Sequence, residues 1–332
     1  MTDTITTPAP RRDAFHALGT PIPSGLTVAE AMEHAHMNRW NVRKTPLHAV
    51  IDDGDGGVTY VTVPNRHVVL RDSPFTGKPE SLGVVGNWWK PFANEDTVGL
   101  LTTLVDESDA ELSTVGVLGD GRKTFFSMRM PGHMEFTSPV DGSKDITDLY
   151  LSVFNSHDGN GSLLAMVSPI RLMCCNQQRI AEATAKSTFK LRHTGNTVAK
   201  LSEVRSLLGL TFKYQDTFAA ECEKMIAHSM ENVEVFAIMQ QVFGVAEATT
   251  ERQTASRIET ASKVFELYKQ SDTVAPFRGT AFGAYNAITE YTDHYMSVGR
   301  KGGEADQRAV RTLTSDALGE IKSRAYSVLV PA

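Results

Sequence analysis

His157 and Asp158 sit side by side in Ser156-His157-Asp158-Gly159, where an imidazole next to a carboxylate could hold a divalent ion or meet a phosphate. The same four residues also make an ordinary tight turn, with Asp158 capping its own backbone and Gly159 accepting positive φ. The turn is the simpler reading. Metal chemistry has little else to draw on. Cys174 and Cys175 are adjacent, without the CxxC spacing that points two thiolates at one ion, and neighbouring side chains of a strand face opposite ways. His34 and His36, two apart in an expected helix, diverge by about 200° around its axis. No bound metal and no cofactor are therefore expected. Neither HExxH, GxxxxGK[ST] nor GxSxG occurs, and the glycines of residues 116–121 fall in a hairpin rather than between a strand and a helix. No catalytic motif is recognisable, so the sequence leans away from an enzyme.

Charge and aromatic side chains are more informative. Residues 171–213 hold eight cations, Arg171, Arg179, Lys186, Lys190, Arg192, Lys200, Arg205 and Lys213, against two acids, Glu182 and Glu203, in a chain whose net charge is −6. Amides, hydroxyls and His193 are interleaved with them, the side-chain types that contact phosphate and sugar. Arg171, Arg179, Lys190, Arg192 and His193 are the candidate backbone contacts for single-stranded DNA. Trp88 and Trp89, with His67 and Phe92 nearby, are the candidate stacking platform. In a strand, one of the two tryptophans would face the core and the other the solvent. Residues 95–111 carry six acids and no Lys or Arg, so the basic island could instead dock on that stretch of a neighbouring copy.

The elements that must position these residues are legible in outline. Thr27 and Glu30 form a capping pattern, and apolar spacing carries a helix from there to about residue 40. Residues 48–51 and 58–63 flank an Asp- and Gly-rich turn and predict a hairpin. The Pro- and Gly-rich residues 71–86 read as a loop, residues 94–108 as a helix with acids in its first turn, and residues 112–118 and 123–130 as a second hairpin. Residues 150–155 and 163–175 are apolar on both sides of the His157 turn and read as buried strands, followed by a helix at 177–187 and a closing strand at 189–192. From residue 196 helical periodicity dominates, with helices at 250–270, 281–298 and 304–329. The expectation is an α+β protein, a hairpin-rich mixed first half followed by a helical second half, divided into a flexible 1–13, an α+β domain at 14–195 and a helical domain at 196–332.

At 332 residues, with 41% hydrophobic and 22% charged residues, the chain can bury a sizeable core, and disorder is excluded as its main state. Three cysteines cannot build a disulfide framework, which fits a reducing compartment. The Thr- and Pro-rich start has no apolar run, so neither a signal peptide nor a membrane span is expected, and the location implied is cytoplasmic. Aromatic residues in 250–329, among them Phe265, Tyr268, Phe277, Phe282, Tyr285 and Tyr326, exceed what one small bundle needs and predict a homo-oligomer.

Seven fragments in order carry a family resemblance: Phe15-His-Ala-Leu-Gly19, Tyr60-Val-Thr-Val-Pro-Asn-Arg66, Leu82-Gly-Val-Val-Gly86, Asn155-Ser-His-Asp-Gly159, Pro169-Ile-Arg-Leu-Met-Cys-Cys-Asn176, Leu191-Arg-His-Thr194 and Gly279-Thr-Ala-Phe-Gly-Ala-Tyr-Asn-Ala287. Together the chain resembles, from about residue 14 to 329, the phage/plasmid-like family known only as domain of unknown function 932. Relatives tend to begin the first fragment with Trp-His, where this chain has Phe15-His16. The resemblance implies genes of bacteriophages and plasmids and expression in a bacterial cytoplasm. It implies no reaction and no catalytic residue. That setting suggests DNA binding or annealing in replication or recombination; the alternative is a structural, partner-binding oligomer without nucleic-acid contact.

Overall fold

The computed structural model describes residues 14–160, 163–171, 176–177, 188–190, 197–296 and 316–331. After a short α1 (Ala14–Leu18) and β1 (Gly19–Pro21), Thr27 starts α2 (Val28–His34). The Thr27 hydroxyl accepts from the Glu30 amide at 3.3 Å, and the Glu30 carboxylate accepts from the Thr27 amide at 2.8 Å, the reciprocal cap that the sequence predicts. The helix stops at His34 rather than near residue 40 because His36, Arg39 and Asn41 take positive φ, which no right-handed helix allows. Trp40, freed from the helix, turns into the core.

The expected first hairpin forms as β2 (Arg43–Asp52) and β3 (Val58–Asp72), and a third strand, β4 (Pro79–Gly86), joins it. Residues 71–86 are therefore not all loop: β4 runs antiparallel to β3 from Arg66↔Gly86 to Asp72↔Pro79. Its base rests on a small cluster of Val69, Leu82 and Val85, against which Val42 and Trp89 pack.

A separate eight-stranded antiparallel sheet forms the centre of the first half. Helix α3 (Asn94–Ser108) leads into β5 (Glu111–Leu118) and β6 (Lys123–Arg129), both as expected; β7 (Met134–Thr137) and the long β8 (Lys144–Ser156) follow. β9 (Leu164–Arg171), β10 (Asn176–Gln177) and β11 (Thr188–Lys190) complete the sheet, with β10 and β11 both paired to β9. Alternation along the strands divides the two faces. Phe125, Tyr150 and Met166 look toward Phe15 of α1, whereas Phe126, Leu151, Val153 and Val167 join the main core. The helix expected at residues 177–187 lies mostly outside the described residues, as do Cys174 and Cys175.

The second half is helical as predicted: α4 (Thr197–Ala227), α5 (Asn232–Val242), α6 (Glu251–Gln270), α7 (Ala281–Glu290) and α8 (Asp316–Leu329). Every residue of α7 is buried, and Thr280 caps it by accepting from the Gly283 amide at 3.1 Å. Past Glu290 the helix widens into a π turn, Tyr291–Tyr295, so the single helix expected over 281–298 is shorter. The main core is continuous from Trp40, Leu101 and Phe126 to Phe218, Phe282 and Tyr326. Cys222 lies within it, and burial pushes its thiol well above the usual range.

The aromatic set from which self-association was predicted packs inside the chain. Tyr268, Phe277, Phe282 and Tyr285 are fully buried, Tyr326 is buried, and Phe265 leans on the same core. No helix among the described residues is long and apolar enough to cross a membrane.

Candidate functional site

The turn after β8 packs onto β4 with almost no space between them. A Cβ on Gly83 would lie 2.8 Å from the Asp158 carbonyl oxygen, and one on Gly159, at φ +80°, would lie 2.5 Å from Val85 Cγ1. Two of the fragments quoted above, residues 82–86 and 155–159, are thus the two sides of one joint, and glycine is required on both.

His157 points inward from this joint and is fully buried. Its Nε2 lies 3.0 Å from Asn94 Oδ1, an oxygen that also accepts from the Thr124 hydroxyl at 3.1 Å. Because the Asn94 amide nitrogen donates to the Met37 carbonyl at 2.9 Å, the Asn94 oxygen faces His157, and the imidazole carries its proton on Nε2. Burial, and then the nearby Arg71 charge, push the His157 pKa down to about 4, so the ring is neutral at pH 7. Its Nδ1 is buried with no hydrogen-bond partner. The Trp40 ring lies 5.8 Å from it, with the Arg71 guanidinium stacked 4.1 Å over Trp40 and paired with Glu80 at 2.9 Å.

Asp158 faces the other way. Its carboxylate accepts from the Ser156 hydroxyl at 2.6 Å and from the Asn160 amide at 2.9 Å. Burial pushes this carboxyl up, but those hydrogen bonds outweigh it and hold the group below its ordinary value. His157 and Asp158 therefore do not converge on one ligand; they close a turn, one toward the core and one toward a shallow cleft of about 210 Å³ lined by residues 81–84, Arg122, Asp158 and Asn160. Among the described residues no three His, Cys, Asp or Glu side chains come together as a metal site.

Trp88 and Trp89 lie just beyond β4, in a turn rather than a strand. Trp89 packs inward on the Val69 cluster, and Trp88 is 93% exposed. Lys44, from β2, fixes the turn by donating to the carbonyls of Asn87 and Trp89, both at 2.8 Å. Arg66 pairs across from Gly86 at the start of the turn, and Lys90 follows it; both are exposed. His67 and Phe92 do not extend the platform: His67 is half-buried with its Nδ1 shielded from solvent, and Phe92 leans on the main core.

The basic island is only partly in view. Arg179, Arg192 and His193 lie outside the described residues. Arg171 and Lys190 are placed by their backbones: Arg171 ends β9, and Lys190 pairs with Leu164 at its beginning, roughly 23 Å away at the rise of a strand. They do not share one end of the sheet. Lys190 shares an end with Lys123, which pairs with Ser156, and hence with the His157 turn. Another member of the island, Arg205, is committed within the chain, donating to Glu107 at 2.9 Å and 3.3 Å. Glu107 of the acidic stretch is thus paired with a cation on α4 of the same molecule. Sequence reasoning missed Lys90, two residues beyond Trp88, and Lys44 and Arg66, which only the pairing of β2, β3 and β4 brings to that turn.

No curated protein and no solved structure is detectably similar to the chain. A family model described as a domain of unknown function matches residues 81–316, a span that takes in both sides of the His157 joint and α7 but leaves out the first two resemblance fragments. With most of its length so matched, the chain belongs to the DUF932 family.

Proposed function

We propose that the protein binds single-stranded nucleic acid without catalysing a reaction on it, stacking a base on Trp88 and holding the backbone with Arg66, Lys90 and Arg122. The observation that carries this reading is Trp88 itself. A large ring, 93% exposed, is held on a turn that Lys44 pins through two carbonyls, with cations on either side. Aromatic platforms flanked by cations suit single strands because every base offers a π face and every linkage a charge. β4, which leads into the Trp88 turn, packs closely on the turn at 156–160, and Arg122 lines the cleft between them. Lys190, at the same end of the sheet as the His157 turn, would extend that track, while Arg171, at the far end of β9, would not reach it. The biological setting that fits is the handling of single-stranded DNA during replication, recombination or annealing of a phage or plasmid in a bacterial cytoplasm.

Fluorescence anisotropy of a labelled oligonucleotide, read at low and moderate salt, tests this. Binding should weaken as salt rises, because released counterions drive it. Trp88→Ala should cost about tenfold or more in affinity, in keeping with the roughly 1–3 kcal/mol of one stacked base. Absence of binding at low salt, or an unchanged affinity in Trp88→Ala, refutes the proposal.

A further inference from the structure

Among the described residues, no member of the three apolar clusters comes from the outer part of the β2–β3 hairpin. From residue 48 to 62 every position except Gly57 is exposed, on both faces of the ribbon. Cross-strand register puts Val50, Val58 and Tyr60 on one face and Ile51 and Val61 on the other. Tyr60 is 66% and Val50 62% exposed. The arm leaves the body at a wide irregularity: Pro46 pairs with His67 and His48 with Thr62, so Leu47 alone opposes residues 63–66, where Asn65 takes φ 58°. Such bulges re-aim a ribbon.

A two-stranded ribbon with apolar residues on both faces is marginal in water by itself, so something covers it. The arm's charge identifies the class of partner. Residues 45–65 contain no Lys or Arg, and Asp52, Asp53 and Asp55 sit at the tip. Phosphate backbones and anionic lipid surfaces are repelled by this arm, which leaves an apolar protein surface edged with cations. The sequence of the chain itself offers the opposite charge: residues 171–213 carry eight cations against two acids, and of the eight Arg205 is already paired with Glu107. Area points the same way: a stable interface takes about 800 Å² and 20–30 residues from each partner. Fifteen arm residues supply half or more of that number, and the patch on which a partner's arm rests has to supply the remainder when two copies exchange arms about a two-fold axis.

We propose that residues 48–62 are the self-association element of this protein, an arm that a second copy of the chain covers in a closed dimer. This inference stands apart from the nucleic-acid reading. Sedimentation equilibrium of the full chain at micromolar concentration tests it with three variants. Val50→Lys with Tyr60→Lys charges one face, and Ile51→Lys with Val61→Lys the other. Val233→Lys charges an apolar groove between α5 and α6 that offers the rival interface. The unaltered chain should be a dimer. Either arm variant should raise the dissociation constant about tenfold or more, the effect of losing one central apolar contact, and Val233→Lys should leave it unchanged. A chain shortened across residues 48–62 gives the same answer should a lysine pair disturb folding, since the arm contributes to none of the apolar clusters. A monomeric parent chain, arm variants that dimerise as it does, or loss of the dimer only in Val233→Lys overturns the proposal. Trp88→Ala separates the two proposals, since it should weaken oligonucleotide binding about tenfold or more and keep the dimer.

Discussion

At the scale of single residues, His157 links the joint between the two sheets to pH. Its pKa is about 4 in the folded chain against an ordinary 6.5, so the unfolded chain binds its proton first as the solution is acidified. The stabilisation is complete above pH 6.5 and is lost as pH falls toward 4, amounting to about 3 kcal/mol across that window. Thermal melts from pH 7 to 4 should show this loss, and His157→Gln should flatten it while lowering stability at pH 7. A variant with the same slope as the parent would place the acid sensitivity elsewhere. Asn94→Ala should cost about 2–3 kcal/mol, because one side chain satisfies Met37, Thr124 and His157 at once in a buried setting. The types of the important residues were legible in the sequence, where Trp88, Trp89, His157 and Asp158 all attract attention. Their partners were not, since Asn94 lies 63 positions from His157 and Lys44 lies 43 from Asn87, distances that no local pattern spans.

Among the elements, those with strong end signals were read correctly. α3 and α6 begin where acids and a threonine cap announce them, and β5 and β6 flank a Gly-Asp-Gly turn. β4 escaped notice because proline and glycine punctuate it: Pro79 opens it, and Gly83 is there for the close approach of Asp158 rather than for a turn. The early end of α2 depends on left-handed residues that are not glycine, which composition does not reveal. Two helical glycines show how context sets the sign of one substitution. Gly209, on α4, has open space where a Cβ would go, so Gly209→Ala should raise stability by about 0.5–1 kcal/mol. Gly283, on α7, has the Phe277 carbonyl oxygen at 2.2 Å from that point, so Gly283→Ala should destabilise by about 1–3 kcal/mol. Denaturant titration of the two variants checks both, and equal effects would mean that α7 has room to shift.

Across the whole molecule, the change of texture near residue 196 does not interrupt the packing. Phe136 of β7 meets the Phe282 ring of α7 at 5.5 Å, the Ser138 hydroxyl donates to the Pro276 carbonyl at 2.6 Å, and Arg205 of α4 holds Glu107 of α3. A core shared in this way should melt in one step, and calorimetry should give a single transition with equal calorimetric and van't Hoff enthalpies. Two separated transitions would show that the sheets and the helices hold together independently. The three tryptophans give the molecule an optical consequence. Trp88 stands in water, Trp89 is half-covered, and Trp40 is sealed beside an imidazole that stays neutral until about pH 4. Red-edge emission open to acrylamide therefore belongs to Trp88, while the blue, shielded emission of Trp40 should dim when His157 takes up its proton, so the natural chain carries its own luminescent gauge of the joint beneath the platform.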